Sequence, residues 1–480
     1  MPDTDYDAVV IGGGPNGLAA AITMKQQGLA VLLMEAAPTV GGGTRSSELS
    51  LPGYVHDICS AIHPLAAGSP FFQLLPLSDF GLEYIYPAIQ AAHPLDNGDA
   101  PALFTDIAKT ADQLGVDKNR YIEIFTPLAD QWQQLSSQLL GPFRWPSHPL
   151  QLASFGLKGL QPALSFAKKF KTTGARALFG GMAAHAIQPL SNYATAAFGL
   201  VLTIAGHARG WPVAKGGSQS IANALSAYFL SIGGEIRTGK AVQSLKELPS
   251  TKTIFFDTSP DQVLKLAGER LSPIYKWQLR KYRYGMGTFK IDWALDGPIP
   301  FTAAHCREAG TVHLGNTLEE FSASEQETWD GKHPARPFVL LAQQSIIDET
   351  RAPAGKHTAW AYCHVPNGSE KDMTTEIENQ VERFAPGFRD LILGKHTMNT
   401  SQLYQYNRNY IGGDINGGVI DLSQLFTRPA LRFSPYCTSA KGLYICSAST
   451  PPGGGVHGMC GYYAARRALK DIFHIDLKSL

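Results

Sequence analysis

The sequence predicts an α/β fold in two parts: a parallel-sheet domain assembled from three separated chain segments, and a domain of mixed β-sheet and helices inserted between them. Three observations lead there. An apolar run at 8–11 enters glycines, a helical stretch follows over 16–27, and a second apolar run at 29–34 ends at Glu35; this is a β-α-β unit of the size that a parallel crossover needs. A strand, a glycine turn and a helix recur near the other end, over 442–470. Between 284 and 364 the chain alternates apolar and polar, as strands with two unlike faces do.

Taken in order, 78–200 reads as helical segments broken by proline and aromatics. An amphipathic helix over 216–231 is turned by Gly233-Gly234 into a strand at 235–238, and 253–256 is another short strand. The alternating middle holds strands at 288–293, 338–343 and 357–364, followed by a helix at 374–384. The tail closes with a strand at 442–447 and a helix at 456–470. Because the parallel-sheet pieces lie at the start, middle and end, that domain is expected at 1–77, 205–284 and 410–480, and the inserted domain at 78–204 and 285–409.

The 480 residues are enough for two sizeable cores. With 41 Lys plus Arg against 40 Asp plus Glu there is no basic excess, so no nucleic-acid partner is expected. The six cysteines form no C-x-x-C and suit neither a metal site nor a disulfide scaffold, which points to a reducing, cytoplasmic setting. The start, 1–7, is polar, and the apolar run after it is broken by three glycines, unlike a secretory leader. The longest apolar stretch, 194–208, falls short of the roughly 20 residues of a membrane span. The stretch 157–183 mixes Lys158, Lys168, Lys169, Lys171 and Arg176 with Leu160, Leu164, Phe166, Phe170, Leu178 and Phe179. That composition suits peripheral contact with an anionic membrane, with a solvated helix face as the blander account.

The chemistry-bearing motif is Gly12-Gly13-Gly14-Pro15-Asn16-Gly17, a G-x-G-x-x-G set between a strand and a helix. Gly12 permits the tight turn, Gly14 a close approach to a pyrophosphate, and Gly17 close packing of helix on strand. The helix N-terminus offers free N–H groups to phosphates. Glu35 can accept bonds from ribose hydroxyls and would repel a 2′-phosphate, which disfavours NADP. This Rossmann-like unit alone leaves FAD and NAD open. A second donor-rich loop, Gly41-Gly42-Gly43-Thr44-Arg45-Ser46, tips the balance toward a longer dinucleotide, FAD, because it lies just beyond the ribose carboxylate. The third piece, 447–458, runs Ser-Ala-Ser-Thr-Pro-Pro-Gly-Gly-Gly-Val-His-Gly into the last helix.

These motifs, with Pro52-Gly53-Tyr54, His56-Asp57, Pro212, Lys215-Gly216-Gly217 and 409–418, resemble the phytoene desaturase-like branch of FAD-dependent oxidoreductases over nearly the whole chain. That branch includes carotenoid desaturases and isomerases and a retinol saturase; within it the chain looks like the pyridine nucleotide-disulfide oxidoreductase domain-containing members. The resemblance implies FAD held by Gly12, Gly14, Pro15, Asn16, Gly17, Glu35, Ala36, Gly42, Gly43 and Thr44. It places Val242 and Thr258 toward the adenine end, and Ser449, Gly454, Gly455 and His457 toward the flavin. Gly43-Thr44 precede Arg45 where many relatives have arginine directly, and 78–200 matches no motif.

The activity implied is dehydrogenation of an apolar, polyunsaturated or isoprenoid small molecule, with hydride passing to the flavin N5. A redox-neutral isomerase or saturase, an amine oxidase and a non-catalytic flavin-binding assembly protein are the alternatives. His56, Asp57, His63 and His457 are the candidate proton-handling residues, each with a scaffold role as the alternative. Tyr406 and Tyr410 are candidates to wall a substrate channel. Cys460 is expected to face the helix interior, so FAD is expected to be non-covalent.

Overall fold

Five parallel strands form the first sheet, in the order Leu443–Ile445, Thr251–Phe256, Tyr6–Ile11, Val31–Met34, Glu235–Arg237. The computed structural model describes residues 4–477; residues 1–3 of the polar start lie outside the described residues. Ala8, Val9 and Val10 are fully buried, as a strand covered on both faces requires. One face is covered by helices Pro15–Lys25, Gln219–Ser231 and Met459–Ile472, the other by Pro260–Ala267 and Pro273–Arg280. Helices Pro15–Lys25 and Met459–Ile472 cross in backbone contact: a Cβ on Gly461 would lie 1.8 Å from the Asn16 carbonyl oxygen. From Tyr6–Ile11 the chain goes one way to Val31–Met34 and later the other way to Thr251–Phe256, so a topological switch point opens at their carboxyl ends.

The second sheet has seven strands, ordered Ile392–Met398, Gly287–Leu295, His357–Val365, Val339–Ala342, Ala309–Leu314, Ile89–Ala92, Ala102–Leu103. Its pairs are antiparallel except Ala309–Leu314 with Ile89–Ala92. Strand alternation splits it into two faces. Phe289, Ile291, Trp293, Leu341 and Val312 enter one core, closed by helix Thr374–Phe384. The opposite face carries Thr288, Lys290 and Asp292 beside Trp360, Tyr362 and His364, then Leu340, Thr311 and His313, and all of these are buried too. This polar face looks into the molecule.

The segment 78–204 is mainly helical, with Lys118–Asp130, Trp132–Leu139, Thr173–Ala183 and Thr195–Arg209 sharing one core. It also supplies strands Ile89–Ala92 and Ala102–Leu103, where only helix was expected; Ile89-Gln-Ala-Ala is buried throughout and shows no alternation. Within 157–183, Phe166, Phe170, Leu178 and Phe179 are buried, while Lys168, Lys169 and Lys171 are exposed. The aromatic residues of this stretch therefore face the core, while Leu160 is exposed with the lysines. Among the described residues no helix is long and apolar enough to cross a membrane.

Candidate functional site

The two glycine loops meet at the switch point. A Cβ on Gly42 would lie 3.1 Å from the Gly14 Cα. Helix Pro15–Lys25 begins with proline after Gly14, which has no side chain to cap it, so its N-terminus opens on the crevice. Glu35 closes the neighbouring strand and braces the loop, accepting from the Gly13 N–H at 2.7 Å and the Ala37 N–H at 2.8 Å. Asp257, at the end of Thr251–Phe256, lies beneath the same loop and accepts from the Gly17 N–H at 2.9 Å. Burial pushes its carboxyl up to about 7 despite that bond, with the Glu35 charge adding to the rise. Tyr406 buttresses the second loop by donating to the Gly42 carbonyl at 2.8 Å, and its ring lies 4.3 Å from the Arg45 guanidinium carbon.

A cavity of about 1610 Å³ starts at this crevice and continues between the polar sheet face and the helices of 149–209. That exceeds the roughly 300–1,000 Å³ of an ordinary small-molecule pocket, leaving room for a dinucleotide and a second molecule. Gly12, Gly14, Pro15, Asn16, Glu35, Ala36, Gly42, Gly43, Thr44, Val242, Thr258, Ser449, Gly454, Gly455 and His457 all line it. Gly17 does not; a Cβ there would be 2.0 Å from the Gly12 carbonyl oxygen, so it serves helix packing.

Residues 10–75 match the family of NAD(P)-binding Rossmann-like domains. Rat pyridine nucleotide-disulfide oxidoreductase domain-containing protein 2 is 24% identical, over 98% of this chain and 94% of its own. One of the subunits of limonene dehydrogenase from Castellaniella defragrans is 21% identical, over 97% and 95%. Among solved structures, a redesigned putrescine oxidase superposes with a TM-score of 0.64 at 15% identity, over 98% of this chain and 99% of its own. The chain has the fold of the FAD-dependent oxidoreductases. The desaturase-like branch is not singled out by these likenesses, which include a putrescine oxidase.

The crevice fits FAD on three buried polar atoms that have no hydrogen-bond partner among the described residues: Asn16 Oδ1, Thr258 Oγ1 and His457 Nε2. All three residues line the cavity: Asn16 at the first glycine loop, Thr258 just beyond strand Thr251–Phe256 and His457 at the C-terminal glycine turn. The Met459 N–H donates to His457 Nδ1 at 3.1 Å, so the ring proton sits on Nε2 and is free to bond the cofactor. Burial pushes this imidazole down to about 4, so it is a neutral donor at pH 7. Cys460 Sγ packs against the Thr450 and Gly453 carbonyls and burial pushes its thiol up to about 11, which makes it a poor nucleophile.

The other proposed proton handlers are each bonded to groups of the protein itself. Asp57 is fully buried and bonded to Arg351 at 3.0 Å, Ser46 at 2.7 Å and the Ser218 N–H at 2.7 Å. Burial raises its carboxyl, but Arg351 and these donors outweigh that and hold it below the usual range. His56 bonds Ser50 at 2.6 Å and burial pushes it down to about 4; neither it nor Asp57 is among the residues lining the cavity. His63 lines the cavity, yet its Nε2 donates to Ser218 Oγ at 2.7 Å, and that hydroxyl passes on to the Ser60 carbonyl. Tyr410 and Tyr406 do line the cavity, where they also support the second glycine loop: a Cβ on Gly43 would meet the Tyr410 hydroxyl at 2.6 Å.

Sequence reasoning missed Asp257, Arg428 and His185. Asp257 follows a parallel strand of the sheet, and position alone could have flagged it. Arg428 is buried beside the C-terminal turn, donating to the Ala448 carbonyl at 2.6 Å and the Ser449 carbonyl at 3.2 Å.

Proposed function

We propose that this protein is an FAD-dependent dehydrogenase of an apolar, unsaturated or isoprenoid molecule. The observation that carries the reading is the charge pattern of the cavity. Its only lining carboxylates among the described residues are Glu35 and Asp257, both at the first glycine loop. The remainder is walled by side chains such as Leu139, Phe155, Phe198, Val201 and Leu340. A cationic amine would find no counter-ion there, and burying an unpaired ammonium is costly. The limonene dehydrogenase relative, named for a hydrocarbon, supports the same reading.

FAD, when bound, supplies the acceptor for the hydride leaving a C–H bond. The chain contributes enclosure: the helices of 149–209 exclude water, and neutral His457 offers an N–H to the cofactor. The test is anaerobic mixing of the FAD-loaded protein with a panel of unsaturated lipids, terpenes and amines. Bleaching of the flavin band by a hydrocarbon or lipid supports the reading. Bleaching by amines alone overturns it, and turnover seen only after prior reduction points to an isomerase or saturase.

We also infer that any membrane contact is made at the cavity mouth. Phe143 (85% exposed), Trp145 (94%) and Phe433 (102%) stand out from the surface there. Phe143 and Phe433 line the cavity with the exposed Arg432, and 141–160 contains no Asp or Glu, so apolar groups and a basic one face outward together. Flotation with anionic vesicles should carry the protein, and Trp145→Ser with Phe433→Ser should abolish it; a wild-type protein that does not float ends this idea.

A further inference from the structure

The polar face of the large sheet carries a group of histidines that the reaction as proposed does not use. His93, His313 and His364 project from strands or their ends, and His185 faces them from the end of helix Thr173–Ala183. His185 and His313 pair through their Nε2 atoms at 3.0 Å. No set of three His, Cys, Asp or Glu residues among those described is arranged to hold a metal ion, so the cluster needs another account.

The hydrogen bonds fix how the pair is protonated. Burial pushes His185 down to about 3 and His313 well below its usual value, so both rings are neutral. One Nε2 must then donate and the other accept. His313 Nδ1 has no partner and abuts Gly181, where a Cβ would lie 2.7 Å away. Leaving a bare lone pair there costs less than burying an unpaired N–H. His313 therefore carries its proton on Nε2 and donates it to His185 Nε2. His185 must then carry its own proton on Nδ1, for which there is no protein acceptor among the described residues.

His185 is one of the cavity-lining residues, as are Trp211, Thr311 and Tyr362, and its ring lies 5.7 Å from that of Trp211. Enclosed by protein, it still keeps accessible surface, which opens onto the cavity. His313 itself is fully buried behind it.

We propose that His185 Nδ1–H is a substrate-binding donor that hydrogen-bonds one uncharged oxygen acceptor, a ketone, aldehyde or hydroxyl oxygen, on an otherwise apolar molecule. The assignment rests on the apolar-substrate reading above and narrows it to oxygenated hydrocarbons. An ammonium cannot accept the proton that Nδ1 offers. A carboxylate would bury its charge beside two neutral imidazoles, without the cation that would compensate it.

The test uses the FAD-loaded protein and titration calorimetry with nonane, 2-nonanone and nonylammonium. One net hydrogen bond should make 2-nonanone bind roughly 5- to 10-fold tighter than nonane. In His185→Phe the ratio should fall to about one while nonane keeps its affinity. Equal binding of nonane and 2-nonanone by the wild type, or a preference that survives in His185→Phe, overturns the donor and leaves the apolar reading intact. Binding of neither, or tightest binding of nonylammonium, overturns both. In the unmodified protein, nitrogen chemical shifts of 15N-histidine should show His185 protonated at Nδ1 and bare at Nε2; the reverse tautomer overturns the assignment without any variant.

Discussion

Asp257→Asn isolates one buried charge at the dinucleotide loop. In the folded protein the carboxyl rises from 3.8 to about 7, because burial and the Glu35 charge disfavour ionisation more than the Gly17 N–H favours it. The proton is thus held more tightly in the folded than in the unfolded chain. Its stabilisation is complete below pH 3.8 and is lost as pH rises through about 7. At 1.36 kcal/mol per pKa unit the ceiling is roughly 4 kcal/mol, and partial solvation across the open crevice reduces it to about 2. The buried histidines titrate with the opposite sign, since His56, His63 and His457 are each pushed down to about 4. Subtracting the variant's profile from the wild type's removes them. Melting curves of the FAD-free proteins at pH 4.5 and pH 8 make the comparison. Asp257→Asn should gain on the wild type by a few degrees between those pH values, with asparagine keeping an acceptor for the Gly17 N–H. Parallel profiles would refute the argument that Asp257 is ionised against its surroundings.

Glu35→Ala removes the acceptor of both the Gly13 and Ala37 N–H groups and should weaken FAD binding by roughly 10- to 100-fold, read from the rise of free-flavin fluorescence on dilution. Asp57→Asn leaves Arg351 with only Asp348 as a charged partner, so it should cost about 3 kcal/mol in stability and leave the pH profile of flavin reduction unmoved; a shifted profile would restore Asp57 to a catalytic role. Acid precipitation of the holoprotein should leave all flavin in the supernatant, because Cys460 is buried against carbonyls; a yellow pellet would show a covalent link.

What was legible in the sequence was local. The run 8–11, the glycines from Gly12 to Gly17 and the acid at Glu35 lie within one β-α-β unit, where contiguous pattern and chain geometry coincide. Asp257 was not legible in that way, since it meets Gly17 across a separation of 240 residues, through strand pairing that periodicity does not encode. Strand Ile392–Met398 was missed because it is an edge strand, half-exposed, with Gly394 and Lys395 interrupting its pattern. That His56 and Asp57 lie off the cavity was not legible for a related reason: short polar strands look alike whether they face a ligand or a buried arginine.

The alternating strands carry a further lesson. Thr288-Phe289-Lys290-Ile291-Asp292-Trp293 reads as one face in a core and one face in water, which is the usual fate of such a pattern. Here the polar half is buried as completely as the apolar half, with Asp292, His313 and Arg351 all at 0% exposure. Burying that many polar groups costs free energy unless each finds a partner. Most do, in the Asp57–Arg351–Asp348 and Lys290–Asp292 pairs. Pairing is incomplete where this face meets the cavity: Thr311 Oγ1 and Trp360 Nε1 are buried without a partner among the described residues, and both residues line the cavity, as His185 does. Donors left over at that boundary are met by whatever fills the cavity, and His185 Nδ1–H is the one assigned above to the substrate.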